Sequence, residues 1–113
     1  MSKNPSLYIE HILDSIQYIE QFTAGVSKEE FLKERMRYDA TLRNLQTLSE
    51  STQKLPQALK DKYKNIPWKD IAGFRNILVH DYLEGLDVDI VWHIVKNELP
   101  VMKTGILEIK KFL

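Results

Sequence analysis

The stretch that decides the fold reads Pro67-Trp68-Lys69-Asp70-Ile71-Ala72-Gly73-Phe74-Arg75-Asn76-Ile77-Leu78-Val79-His80-Asp81-Tyr82. Proline is at home in the first turn of a helix, where its missing N–H costs nothing. Ile71, Phe74 and Leu78, with Ile77 beside them, then recur at the spacing of one helical face. The pattern predicts a helix with a buried apolar side, leaving Arg75, Asn76, His80 and Tyr82 as its polar complement. At about 100° per residue, Arg75 and Tyr82 lie nearly above one another and Asn76 and His80 are neighbours one turn apart. Arg75 and His80 diverge by about 140°, so one ideal helix does not converge them on a point. Either the helix ends near His80 and turns it back, or a second copy of the chain supplies the missing group.

Outward from this stretch the chain is helical in both directions. A first helix is expected to start near Pro5 with Asn4 as its N-cap, to carry the stripe Ile9, Ile12, Leu13, Ile16, Ile19 and Phe22, and to end at Gly25. Ser27-Lys28-Glu29-Glu30 reads as a capping box opening a long second helix to about Gln53, with Leu42, Leu45 and Leu48 on one face. Pro56 opens a short helix ending near Asn65. Gly85 breaks the chain, and Asp87 caps a last helix whose apolar face runs Val88, Val91, Ile94, Val95, Leu99, Met102, Ile106, Ile109 and Leu113. Pro100 removes one backbone hydrogen bond there and predicts a kink. The expected architecture is all-α: an up-and-down bundle of four or five helices with a kinked C-terminal helix.

Composition narrows the function classes. A chain of 113 residues with 43% hydrophobic content suits one domain, spanning 1–113. There are no cysteines, which excludes disulfides and thiolate metal sites. Met1 to Tyr8 holds no apolar run of signal-peptide length, and no run approaches the roughly 20 residues that span a bilayer. No membrane association and a cytoplasmic location are therefore expected. Lys+Arg and Asp+Glu balance at 16 each, so no global basic field gathers nucleic acid. An RNA ligand would have to be gripped by a local site.

The polar residues of the opening stretch suit RNA cleavage. Transesterification needs a base for the ribose 2′-hydroxyl proton, and an imidazole, which ordinarily titrates near neutrality, can serve as base and then acid. Charge develops on the phosphate, and a planar arginine fork matches it. His80 and Arg75 are the candidates for these roles. Asn76 can hold the imidazole tautomer or hydrogen-bond a phosphate oxygen. No metal or other cofactor is needed. The competing reading has Arg75 paired with Asp70 or Asp39, His80 as a histidine near a helix C-terminus and Tyr82 as an ordinary aromatic. His11 and His93 have no partner set and read as structural, Trp68 and Trp92 as packing or interface residues. Lys103, Lys110 and Lys111 read as a solvated face.

Arg75-Asn76 followed by His80-Asp81-Tyr82 resembles the R-x4-H-x-Y motif of HEPN-domain proteins, and more narrowly of the HepT-like toxins. The similarity covers the whole chain: the helix count, Pro67-Trp68, Tyr38-Asp39-Ala40, Arg43-Asn44-Leu45, and Gly85-Leu86-Asp87 before the last helix. It departs at Ser49-Glu50-Ser51, where Gly-Glu-Ala is usual. The resemblance implies a homodimer whose motif helices meet across the two-fold, with Arg75 and His80 as the catalytic pair and Asn76 in support. It also implies the toxin of a type VII toxin–antitoxin pair that cuts RNA, often tRNA. A minimal nucleotidyltransferase antitoxin would inactivate it by transferring AMP onto Tyr82, in a hetero-oligomer with the toxin. Asp39 and Glu50 are candidates for orienting Arg75. The alternative is a non-catalytic helical adaptor that binds a nucleotidyltransferase and positions its substrate.

Overall fold

The computed structural model describes residues 4–84 and 88–113, with side chains throughout except over residues 77–84. Its helices are α1 (Pro5–Thr23), α2 (Lys28–Lys33), α3 (Arg35–Gln53), α4 (Gln57–Lys62), α5 (Trp68–Glu84), α6 (Val88–His93) and α7 (Leu99–Lys111). A π-helical segment, Ile94–Glu98, joins α6 to α7 in one rod. The fold is an all-α bundle of four long rods: α1, α3, α5 and α6–α7. α1 packs chiefly on α3 and α3 on α5, while α7 closes against α1.

Local chemistry accounts for the starts and stops. The Asn4 side chain accepts from the Ser6 N–H at 3.0 Å, with Pro5 in the first turn of α1. Gly25 follows at φ +69°, a left-handed conformation that glycine adopts without steric cost. The Ser27 hydroxyl accepts from the Glu30 N–H at 3.1 Å, one half of the expected capping box, while the Glu30 carboxylate accepts from that same hydroxyl at 3.1 Å. Ile9, Ile12, Ile16 and Ile19 are buried and Leu13 and Phe22 half-buried, so the α1 stripe is as the periodicity predicts. Leu42, Leu45 and Leu48 of α3 are buried against it.

The long second helix expected from Ser27 to Gln53 is in fact two. Glu34 leaves the helical region at φ −97°, ψ 88°, dividing α2 from α3. The break lets α2 tuck Phe31 fully into the core, with ring centroids 5.2 Å from both Tyr38 and Trp92. Burying a phenylalanine side chain contributes about 1.5–3 kcal/mol, more than a run of good helix formers loses at one non-helical residue. The guanidinium of Arg37 steadies the corner, donating to the Glu34 carboxylate and to the Phe22 carbonyl.

At the other end, Val91, Ile94, Val95, Leu99, Met102, Ile106 and Ile109 are buried, Val88 is half-buried and Leu113 is exposed. The irregularity expected at Pro100 takes the form of the π segment just before it. Val91, Val95 and Leu99 are spaced four and four, eight residues where two α-turns hold about seven. The wider π turn absorbs the surplus, with the Leu99 N–H bonded to the Ile94 carbonyl five residues back. The break at Gly85 and the Asp87 cap lie outside the described residues. Among the described residues no helix is long and apolar enough to cross a membrane.

Candidate active site

α5 is held at its start by three contacts. Ile66, buried in the preceding loop, sits against Gly105 of α7 so closely that a methyl group built on that glycine would come within 2.4 Å of the isoleucine side chain. The Trp68 indole N–H donates to the carbonyls of Tyr63 at 3.0 Å and Lys60 at 3.2 Å, tying the short α4 to the first turn of α5. The Ile71 N–H bonds the Pro67 carbonyl at 3.1 Å, so the proline caps the helix it opens. Ile71 and Phe74 then turn into the core, 1% and 2% exposed. This buried seam fixes the rotation of α5, and with it the direction of its polar face.

Arg75 and Asn76 stand on that polar face, both exposed. Neither suggested carboxylate takes Arg75. Asp39 is held by Arg35, whose Nε donates to both carboxylate oxygens at 3.0 and 3.1 Å, and Asp70 makes no ion pair with it. Glu50 is exposed and accepts from Gln46 at 3.3 Å. Among the described residues Arg75 is thus a cation without a carboxylate, and neither Asp39 nor Glu50 makes an ion pair with it. The His80 and Tyr82 side chains, like those of Ile77 and Leu78, lie outside the described residues.

Two geometric facts bear on how Arg75 and His80 could meet. First, α5 runs without interruption to Glu84, so the helix does not end at His80 and turn it back. Second, helical register places position 80 in line with Lys69, Gly73 and Asn76, at offsets of 4, 7 and 11 residues that return to nearly the same angle at about 100° each. A groove of about 600 Å³ opens beside that face, between α5 and the α6–π rod. Lys69, Asp70, Gly73, Asp89 and His93 are among its lining residues. His93, read from the sequence as structural, therefore borders the groove, and Asn97 lies 3.2 Å from its Nδ1. Only the packing of α6 against α5 brings His93 here; its spacing in sequence gives no such signal. His11 is on the exposed side of α1, edge-on to Tyr8.

Residues 12–109 match the model of the family described as ribonuclease HepT-like. Among curated proteins, the chain is 34% identical over 107 residues to a provisionally named RNase of Caldanaerobacter subterraneus subsp. tengcongensis, covering 95% of each chain. It is 32% identical over 111 residues to a Thermococcus cleftensis protein provisionally named ribonuclease HepT, covering 98% of this chain and 100% of the relative. A Methanocaldococcus jannaschii protein named as a gamma-glutamylcyclotransferase and provisional RNase is 35% identical over all 113 residues, which span 50% of that relative's length. No solved structure matches. On the family match, which takes in α3, α5 and the last rod, the chain belongs to the HepT-like ribonuclease family.

Proposed function

We propose that this chain is a metal-independent ribonuclease acting as the toxin of a toxin–antitoxin pair, with Arg75 and His80 as the catalytic pair. The observation that carries the reading is Arg75 itself. It is an exposed arginine on α5, without a carboxylate partner among the described residues, at the spacing R-x4-H-x-Y. A structural arginine would be expected to pair with Asp39, and that carboxylate is taken by Arg35.

In the proposed reaction the neutral His80 imidazole takes the 2′-hydroxyl proton. The 2′-oxygen then forms a bond to the adjacent phosphorus, and the bond from phosphorus to the 5′-oxygen breaks. The leaving oxygen takes a proton from an imidazolium, and the products are a 2′,3′-cyclic phosphate and a 5′-hydroxyl. Arg75 holds the phosphate oxygens as charge accumulates, and Asn76 adds a hydrogen bond to the imidazole or the phosphate. The 140° divergence on an uninterrupted α5 favours a homodimer in which Arg75 of one copy works with His80 of the other.

The proposed substrate is tRNA. The proposed control is a nucleotidyltransferase antitoxin that joins AMP from a nucleoside triphosphate to the Tyr82 oxygen, with pyrophosphate leaving. An anionic nucleotide at Tyr82, nearly above Arg75 on the helix, would occupy the phosphate site and repel RNA.

Expression in cells tests the first part: the unsubstituted chain arrests growth, whereas Arg75→Ala and His80→Ala do not. Purified protein should cleave tRNA, with either substitution lowering the rate by about 100-fold or more. A harmless wild-type chain that leaves tRNA intact overturns the reading. Intact mass after co-expression with the antitoxin should show AMP increments that vanish in Tyr82→Phe, and their persistence there would assign the modification elsewhere.

A further inference from the structure

The chain has no net charge, yet among the described residues five of the cations without an ion pair fall within one short stretch, with Lys33, Arg43 and Lys96 apart from it. Lys103 pairs with Glu20 at 3.0 Å, Lys110 with Glu10 at 2.9 Å and Lys111 with Glu108 at 3.7 Å; Lys28 pairs with Asp89. Arg35 and Arg37 pair with Asp39 and Glu34. Between residues 54 and 69, by contrast, stand Lys54, Lys60, Lys62, Lys64 and Lys69 against the single acid Asp61. None of these lysines makes an ion pair among the described residues. The Asp61 carboxylate accepts from Gln57 at 2.9 Å instead.

Three of these lysines line one surface. A cleft of about 510 Å³ lies between α4 and the start of α5, with Lys60, Asp61, Lys64, Trp68, Lys69 and Ala72 in its walls. Trp68 is a rigid wall, its N–H held by two carbonyls and its ring 6.0 Å from the Lys60 ammonium. On α5, positions 68, 72 and 75 follow one another at three- and four-residue steps, so the cleft leads along the helix to Arg75. At a rise of about 1.5 Å per residue, Lys69 and Arg75 are roughly 9 Å apart along the axis, close enough for neighbouring phosphates of one RNA strand to reach both.

We propose that Lys60, Lys64 and Lys69 form a subsite for the phosphate backbone of the RNA strand entering at Arg75. The proposal rests on the ribonuclease reading and adds to it where the strand is gripped. It supplies the local site that an electroneutral chain needs, because compact ammonium groups free of carboxylates can exchange counterions for phosphates. Lys103, Lys110 and Lys111, already neutralised, cannot do so at the same gain.

The test compares two triple variants of equal charge change: Lys60, Lys64 and Lys69 each to Ala, and Lys103, Lys110 and Lys111 each to Ala. The probe is a labelled single-stranded 2′-O-methyl oligoribonucleotide, which lacks the attacking hydroxyl, with binding followed by fluorescence anisotropy from 50 to 300 mM salt. Each phosphate contact on a single strand contributes about 0.7 to the slope of log affinity against log salt. The first variant is expected to lose roughly 2 from that slope and about tenfold or more in affinity at low salt, with recovery when all three are Arg. The second variant is expected to match the unsubstituted protein in slope. Equal losses in both variants, or none in either, overturn the subsite. If the unsubstituted protein still cuts RNA in that case, only the subsite falls, and an acidic protein surface becomes the better fit for the lysines. If it neither cuts RNA nor binds the probe, the ribonuclease reading falls with it.

Discussion

Ser49 is fully buried on α3, and among the described residues its hydroxyl has no hydrogen-bond partner. It opens the Ser49-Glu50-Ser51 segment and leaves an unsatisfied polar atom in the core. Leaving such a group unpaired costs about 1–3 kcal/mol. Ser49→Ala should therefore stabilise the protein by roughly 1 kcal/mol, seen as a higher urea midpoint at unchanged m-value; a lower midpoint would mean that the hydroxyl has a partner. Arg75 is polar in the opposite circumstance, exposed and unneutralised. Arg75→Ala should move the same urea midpoint by no more than about 0.5 kcal/mol equivalent, since Arg75 is exposed and has no ion pair among the described residues, and a large loss would make the arginine structural. The string Arg75-Asn76 with His80 and Tyr82 was readable from the sequence because the spacing is local. The lysine cluster was not, because which lysines are neutralised depends on Glu20 and Glu10, more than 80 residues away from Lys103 and Lys110.

At the level of the elements, the positions of most helices followed from proline, glycine and capping chemistry: Asn4 and Pro5, Ser27 with Glu30, and Pro67 before Trp68. The division at Glu34 did not, since Lys33-Glu34-Arg35 holds no glycine or proline and has good helix propensity. What breaks the helix is tertiary: Phe31 reaches the core only if α2 turns away from α3. Phe31→Ala should cost about 3–4 kcal/mol in thermal or denaturant unfolding, and a cost below 1 kcal/mol would contradict that cause of the break. Gly105 is a second tertiary signal that the sequence hides within an apolar helix. Alanine there would gain about 1 kcal/mol of helix propensity but collide with Ile66, at an overpacking cost of about 1–3 kcal/mol. Gly105→Ala is expected to be net destabilising by roughly 1 kcal/mol and to loosen the start of α5, which amide exchange at residues 68–72 would register. A stabilised variant would show that Ile66 can move aside without loss.

Across the whole molecule, 41 × 29 × 24 Å in extent, the bundle does one thing for the site: it fixes the rotation of α5. Ile71 and Phe74 point inward, Lys69 and Gly73 line the groove, and Arg75 is exposed. The all-helical class and the single buried seam of α5 were legible from periodicity, whereas the groove beside α6 and the bordering His93 arise only when the last rod packs back. Because α5 is unbroken to Glu84, helical register sets positions 75 and 80 about 140° apart, and the proposed site therefore takes two copies. Mixing purified Arg75→Ala and His80→Ala proteins after partial denaturation and refolding tests this most directly. Each alone is inactive, but half of the re-formed dimers would be mixed, and each would carry one intact site. Cleavage should therefore recover to about a quarter of the wild-type rate. No recovery above the two separate variants, with mixed dimers present by mass, would show that each copy uses its own Arg75 and His80 and would contradict the composite site.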